Sequence, residues 1–171
     1  MMRLAYAWSR WKFGKVMTPL KVVYARVPGA LGISRAIADF LAGGHQLDPV
    51  IALLVTQYIA FRNGCDFCVD IGQALARPDA NLRAKIAGID NYASSDAFTA
   101  RERAALAFAQ EWLEHRYAPG PARDALKAQF SDEEIATLVV VCACENYYNA
   151  INHALGIGSD GLCAIAAKRR R

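Results

Sequence analysis

Apolar residues recur along this chain at helical spacing, and strand alternation bounded by hairpin turns is absent. Stretches 48–62 and 132–155 are apolar on most faces, which marks them as central helices. Stretch 99–117 is amphipathic. Leu106, Phe108, Ala109, Trp112 and Leu113 point inward, while Arg101, Arg103, Glu111 and Glu114 can stay in water. Helix starts are legible. Thr18-Pro19 and Asp48-Pro49 each put a capping side chain before a proline at the first helical position. "TARE" (99–102) and "SDEE" (131–134) are capping boxes, in which a hydroxyl accepts a backbone N–H and a glutamate reaches back. Gly43-Gly44, Gly64, Gly88, "PGP" (119–121) and Gly156 break the runs.

These signals predict an all-α protein with helices over 19–27, 30–42, 48–62, 65–77, 80–89, 99–117, 121–129 and 132–155. We expect a single domain over 1–171, with an N-terminal segment at 1–17 and a basic tail at 164–171. A faint internal similarity runs at an offset of 84 residues, derived from "IALLV" at 51–55 and "IATLV" at 135–139. The same offset carries Cys65 to Asn149 and Cys68 to Asn152.

Composition narrows the picture. Of 171 residues 54% are hydrophobic, enough to build a core and too many for general disorder. No apolar run is long enough to span a bilayer, and the basic N-terminus lacks a leader's apolar stretch and cleavage site. A cytoplasmic location is therefore expected, where five cysteines do not serve as structural staples. The net charge of +4 equals that of the tail Lys168–Arg171, so residues 1–167 balance. With no recognition motif beside it, the tail reads as a solvated end, and neither nucleic acid nor membrane is an expected partner.

The candidate chemistry lies in "NGCDFCVDIG" (63–72). Cys65 and Cys68 follow Gly64 at a predicted helix start, where free N–H groups and partial positive charge favour thiolate over thiol. Their spacing puts both sulfurs on one face, close enough to join. Asp66 opposes a second negative charge but suits the helix dipole. Asp70 lies off the cysteine face, solvated or paired. A lone CxxC can be a redox pair, half a zinc site or coincidence. Zinc needs about four ligands. Cys142 and Cys144 face opposite sides of one helix, and His45, His115 and His153 are scattered, so no zinc site is expected. Cys142 and Cys144 read as buried hydrophobes, Cys163 as an incidental thiol, and Phe67 as a shield for the pair.

The CxxC block, "FTARERAALAFAQEW" and the closing "ENYYNAINHALGI" together resemble the carboxymuconolactone decarboxylase-like superfamily, in its alkylhydroperoxidase D-like branch, over roughly residues 18–163. The resemblance implies an all-α fold with the CxxC at a helix N-terminus, and a homo-oligomer such as a dimer, trimer or hexamer. It also implies a thiol–disulfide oxidoreductase or peroxidase-like antioxidant enzyme without metal or flavin. Cys65 and Cys68 would be the redox pair, acting on a hydroperoxide or disulfide and reduced by an outside dithiol. The superfamily also holds cofactor-free decarboxylases, and a non-catalytic oligomeric member is a third reading.

The family's peroxidase pattern, Glu-x11-Cys-x2-Cys-x3-His, is broken here. Leu53 stands at the glutamate position and Gly72 at the histidine position. Glycine within a helix costs about 1 kcal/mol relative to alanine, so something is expected to fill the space at Gly72. Candidates lie on one face of the last long helix: Glu145, Asn149, Asn152 and His153. That face either makes helix contacts or supplies the missing proton acceptor. In the second case His153, or failing that Glu145, is the substitute base.

Overall fold

The computed structural model describes residues 2–115 and 120–168. In chain order the helices are α1 (Met2–Phe13), α2 (Pro28–Leu41), α3 (Pro49–Arg62), α4 (Asp66–Ala76), α5 (Ala80–Ala87), α6 (Ala100–Glu114), α7 (Pro121–Leu126), α8 (Asp132–Ala154) and α9 (Leu162–Lys168). A π-helical turn at Leu20–Tyr24 precedes α2, and a 3₁₀ turn at Ile89–Asn91 follows α5. The described residues contain no strand, so the fold is all-α.

Local chemistry sets most starts. The Asp48 carboxylate accepts the Val50 N–H at 2.8 Å before Pro49. Both capping boxes close: Thr99 with Glu102, and Ser131 with Glu134. The expected helix over 19–27 is present but shorter, helical over 18–24 with the π turn as its larger part. Its Thr18 N–H and hydroxyl both donate to Asp160, at 2.6 and 2.8 Å, and no side chain caps the turn. The end of the expected 99–117 helix and Pro119 lie partly outside the described residues, as do Arg169–Arg171 of the tail.

Helix α3 is the central post, packed by α4, α6 and α8. Its Leu54, Val55 and Ile59 are sealed from water with Leu106 of α6 and Leu138 and Val141 of α8. Leu53 packs against this core, which leaves the family's glutamate position apolar. A second apolar cluster holds Cys65, Phe67 and Cys68 with the π turn, Ile157 and Leu162, and the inner face of α1 packs on it. Two short helices thus occupy segments expected to be an N-terminal extension and a tail. The buried Asp70 carboxylate anchors the second of them. It accepts the Ser159 hydroxyl and the N–H groups of Asp160, Leu162 and Cys163, at 2.8–3.1 Å. No described helix is long and apolar enough to cross a membrane.

Candidate active site

Two matching helix ends frame the site. Helix α3 stops at Asn63, and Gly64 takes φ +68°, a left-handed conformation that glycine adopts without strain. The Gly64 N–H bonds to the Phe61 carbonyl and the Cys65 N–H to the Ala60 carbonyl, the paired bonds of a Schellman ending. Helix α8 ends the same way. Gly156 sits at φ +61°, its N–H bonds to His153 O, and the Ile157 N–H bonds to Asn152 O. A cleft of about 210 Å³ lies between these ends, lined by Gly64, Cys65, Asp66, Asn152, His153 and Gly156–Gly158.

The first ending delivers Cys65 to the N-cap of α4 and places Cys68 in its first turn. The two are joined as a disulfide, Cα–Cα 5.3 Å, and both are buried. Phe67 is buried beside them in the same apolar cluster, whereas Asp66 is exposed. The dithiol and disulfide therefore interconvert without moving the backbone far.

Helix α8 supplies amides to the sulfurs. Asn152 Nδ2 donates to Cys68 Sγ at 3.3 Å and Cys65 Sγ at 3.5 Å. Asn149 Nδ2 donates to Cys68 Sγ at 3.2 Å and to Glu145 Oε1 at 2.6 Å. Asn63 fixes that amide's orientation by donating to Asn149 Oδ1 at 2.8 Å and to Asn146 Oδ1 at 3.1 Å. Cys68 thus faces two amide donors and a helix N-terminus, all of which stabilise negative charge on sulfur.

The two base candidates sit differently. Buried Glu145 shares the Asn149 Nδ2 group with Cys68, within two hydrogen-bond lengths of the sulfur. His153 is exposed and lines the cleft beside Cys65. Its Nε2 is 2.6 Å from Asn63 O. A carbonyl only accepts, so Nε2 carries the proton and Nδ1 is the basic nitrogen.

Burial pushes the Glu145 carboxyl from 4.5 up to about 8, against a smaller lowering by the Asn149 bond. The folded chain therefore holds this proton more tightly than the unfolded chain does. That stabilisation is complete below about pH 4.5 and is lost as pH rises through about 8. Glu145→Gln keeps an acceptor for Asn149 and removes the titration. Denaturation midpoints measured across this window will fall less with pH in Glu145→Gln than in the parent chain. Equal slopes would place the Glu145 proton elsewhere.

The space at Gly72 is filled from α3, not from α8 as expected. A Cβ there would lie 1.8 Å from Gln57 Nε2, and that amide donates to Cys68 O at 3.0 Å. Gly72→Ala must displace a buried side chain from a backbone acceptor. We predict a loss of about 1–3 kcal/mol from overpacking and the broken bond, less about 1 kcal/mol of helix propensity. In a Gln57→Ala background the same substitution will cost less, as a double-mutant cycle of urea midpoints would show.

The other cysteines are unlike the pair. Cys142 is sealed in the core and Cys144 partly buried; burial pushes both thiols up. Cys163 is free and half-buried at the start of α9. His45 stacks edge-on against Phe40, and its nitrogens have no partner. Among the described residues, no group of three or more His, Cys, Asp or Glu side chains is placed to hold a metal ion.

Asn63 and Gln57 carry no signal in the CxxC spacing. Gln57 is a buried amide inside a mostly apolar helix, and that mismatch is the clue to its role. Asn149 and Asn152 are the positions that the 84-residue offset pairs with Cys65 and Cys68, and they are the side chains that touch the sulfurs.

No protein-family sequence profile matches the chain. Among curated proteins it is similar to the uncharacterized protein YnjA of Escherichia coli K12, 28% identical over 169 residues, covering 95% of this chain and 91% of YnjA. Among solved structures it matches a protein of unknown function from Agrobacterium tumefaciens, suggested to be the antioxidant defence protein AhpD. The TM-score is 0.72 at 27% identity, covering 81% of this chain and 96% of that one. The alkylhydroperoxidase AhpD core of a peroxidase-related protein from Ralstonia eutropha matches with TM-score 0.78 at 20% identity, covering 96% and 88%.

Proposed function

We propose that this chain, an all-α protein of the alkylhydroperoxidase D-like, carboxymuconolactone decarboxylase-like fold with a CxxC pair, is a thiol–disulfide oxidoreductase that reduces hydroperoxides or disulfides. The observation that supports this most is the convergence of Asn149 and Asn152 on the sulfurs of Cys65 and Cys68. Amide donors at a helix N-terminus serve a thiolate; a structural disulfide has no need of them.

In the proposed cycle His153 Nδ1 takes a thiol proton, and the resulting thiolate attacks the outer oxygen of a hydroperoxide. The O–O bond breaks, the cysteine keeps the OH as a sulfenic acid, and the alkoxide leaves as an alcohol with the proton that His153 returns. The partner thiol displaces water to form the Cys65–Cys68 disulfide. An outside dithiol then attacks Cys65, the sulfur that lines the cleft. Cys68 leaves as the thiolate that Asn149 and Asn152 stabilise, and a second thiol of the donor closes the donor's own disulfide.

The test is turnover of a hydroperoxide panel with a dithiol donor, compared between the parent chain and Asn149→Ala with Asn152→Ala. Slower turnover, together with a raised thiol pKa in the reduced variant, supports the reading. Unchanged rate and pKa contradict it. A lyase activity that survives loss of both cysteines would move the assignment to the decarboxylase side of the superfamily.

We also propose self-association through α8. Its Ala136, Val139, Val140, Ala143 and Ala150 form an exposed apolar strip at helical spacing. Val140→Glu will lower the sedimentation coefficient if this strip joins copies, and will leave it unchanged if it does not.

A further inference from the structure

Helix α1 is apolar on two opposite faces. Met2, Ala5, Tyr6 and Phe13 pack inward on the cysteine-bearing cluster. Ser9, fully buried on the same face, bonds to the Lys15 carbonyl and the Met17 N–H. At roughly 100° per residue the opposite face carries Leu4, Trp8 and Trp11. These are 76%, 46% and 74% exposed, while Ser9 on the inner face is fully buried.

The flanks of that outer face are basic. Arg3 and Arg10 lie on one side and Lys12 on the other, with the Lys12 ammonium 5.2 Å from the Trp8 ring centre. No acidic residue precedes Asp39 in the sequence. Helix α9 packs against α1 and ends on Lys168, after which the sequence reads Arg169-Arg170-Arg171. Lys15 is not part of this surface, since it is paired with Asp160 at 2.9 Å.

We infer that the outer face of α1 binds the surface of an anionic lipid bilayer, lying flat with Leu4, Trp8 and Trp11 in the interfacial layer. Tryptophan and leucine between basic flanks match that interface, where amphipathic rings sit at headgroup depth and ammonium and guanidinium groups meet lipid phosphates. The absence of acid from this part of the chain removes the repulsion that such a surface would otherwise exert. A nucleic acid would use the charges and leave the aliphatic Leu4 without a role. This binding is peripheral and differs from membrane spanning, which the helices exclude among the described residues. It uses neither cysteine, so it stands or falls apart from the redox reading.

The full chain is sedimented with vesicles of phosphatidylcholine alone or mixed with phosphatidylglycerol, at low and high salt. We expect binding to the anionic vesicles that weakens with salt, little binding to neutral ones, and a blue shift of tryptophan emission. Trp112 is already buried, so the shift reports Trp8 and Trp11. Leu4→Ser with Trp11→Ser will weaken binding by at least about ten-fold, with the melting temperature held. Three results would overturn the inference: no binding to anionic vesicles at low salt, binding indifferent to the double substitution, or a concentration-dependent dimer that the double substitution dissociates.

Discussion

Cys65→Ser and Cys68→Ser will each abolish multiple turnover, and they will fail differently. Both sulfurs are needed to close the disulfide, so neither variant completes a cycle. The geometry separates them at the reductive step. Both cysteines are buried, but Cys65 lines the cleft and Cys68 does not, its sulfur instead accepting from both Asn149 and Asn152. With serine at 68, a donor thiol joined to Cys65 has no internal partner to displace it, and the mixed disulfide will accumulate. With serine at 65, little mixed disulfide will form. Mass spectrometry of each variant after incubation with a disulfide-bearing donor checks this asymmetry. Equal trapping on both sulfurs would mean that the donor reaches Cys68 as well.

On the proposed cycle, His153→Phe will lower kcat/KM by about 10²-fold, the ordinary effect of removing a general base. The imidazole is fixed by Asn63 O at its Nε2, and it reaches the same cleft as Cys65. Phenylalanine retains the ring and removes the proton acceptor. Glu145→Gln will have the smaller effect on rate. Its carboxyl is buried off the cleft and holds its proton near neutral pH, so its influence on Cys68 passes through the orientation of Asn149. The opposite ranking, with Glu145→Gln the more damaging, would assign the proton transfer to the buried carboxyl. Rates and pH profiles measured on the two variants under the same donor decide between them.

The central helices were legible because their signals are local. The Asp48-Pro49 start of α3, the boxes at Thr99 and Ser131, and the glycine stops at 64 and 156 each act within a few residues. In two places a distant partner overrides the local signal. Thr18-Pro19 does open a helical segment, but no side chain caps it, and both Thr18 donors go to Asp160, far along the chain. Helix α9 follows a glycine-rich stretch, and Asp70 on α4 holds its start. Asp70 itself read as solvated or paired; it is paired, and buried as well.

The site shows the same division. The CxxC at a helix start and the polar face of α8 are periodic features, and the structure brings them together. Gly72 illustrates what periodicity cannot give. Its missing side chain signalled an occupant, but whether that occupant came from α8 or α3 depended on packing, and Gln57 of α3 is the answer. The relay in the peroxidase pattern that the chain resembles is thus absent at both positions for structural reasons: Leu53, partly buried, packs against the core, and the place of the histidine is filled by an amide that holds the Cys68 carbonyl.

The central claim is that Cys65 and Cys68 form a reversible redox couple. Tryptic cleavage at Arg62 and Arg83, the Arg77–Pro78 bond being resistant, isolates both in one peptide, apart from Cys142, Cys144 and Cys163. Reduced protein is treated with one equivalent of hydroperoxide, quenched, digested and weighed, then treated again with a dithiol. The account predicts that this peptide alone loses two hydrogens, that one alcohol forms per disulfide, and that the dithiol restores the starting mass. Thiols at Cys65 and Cys68 that stay unchanged while peroxide persists, or oxygen added there that no dithiol removes, would contradict it.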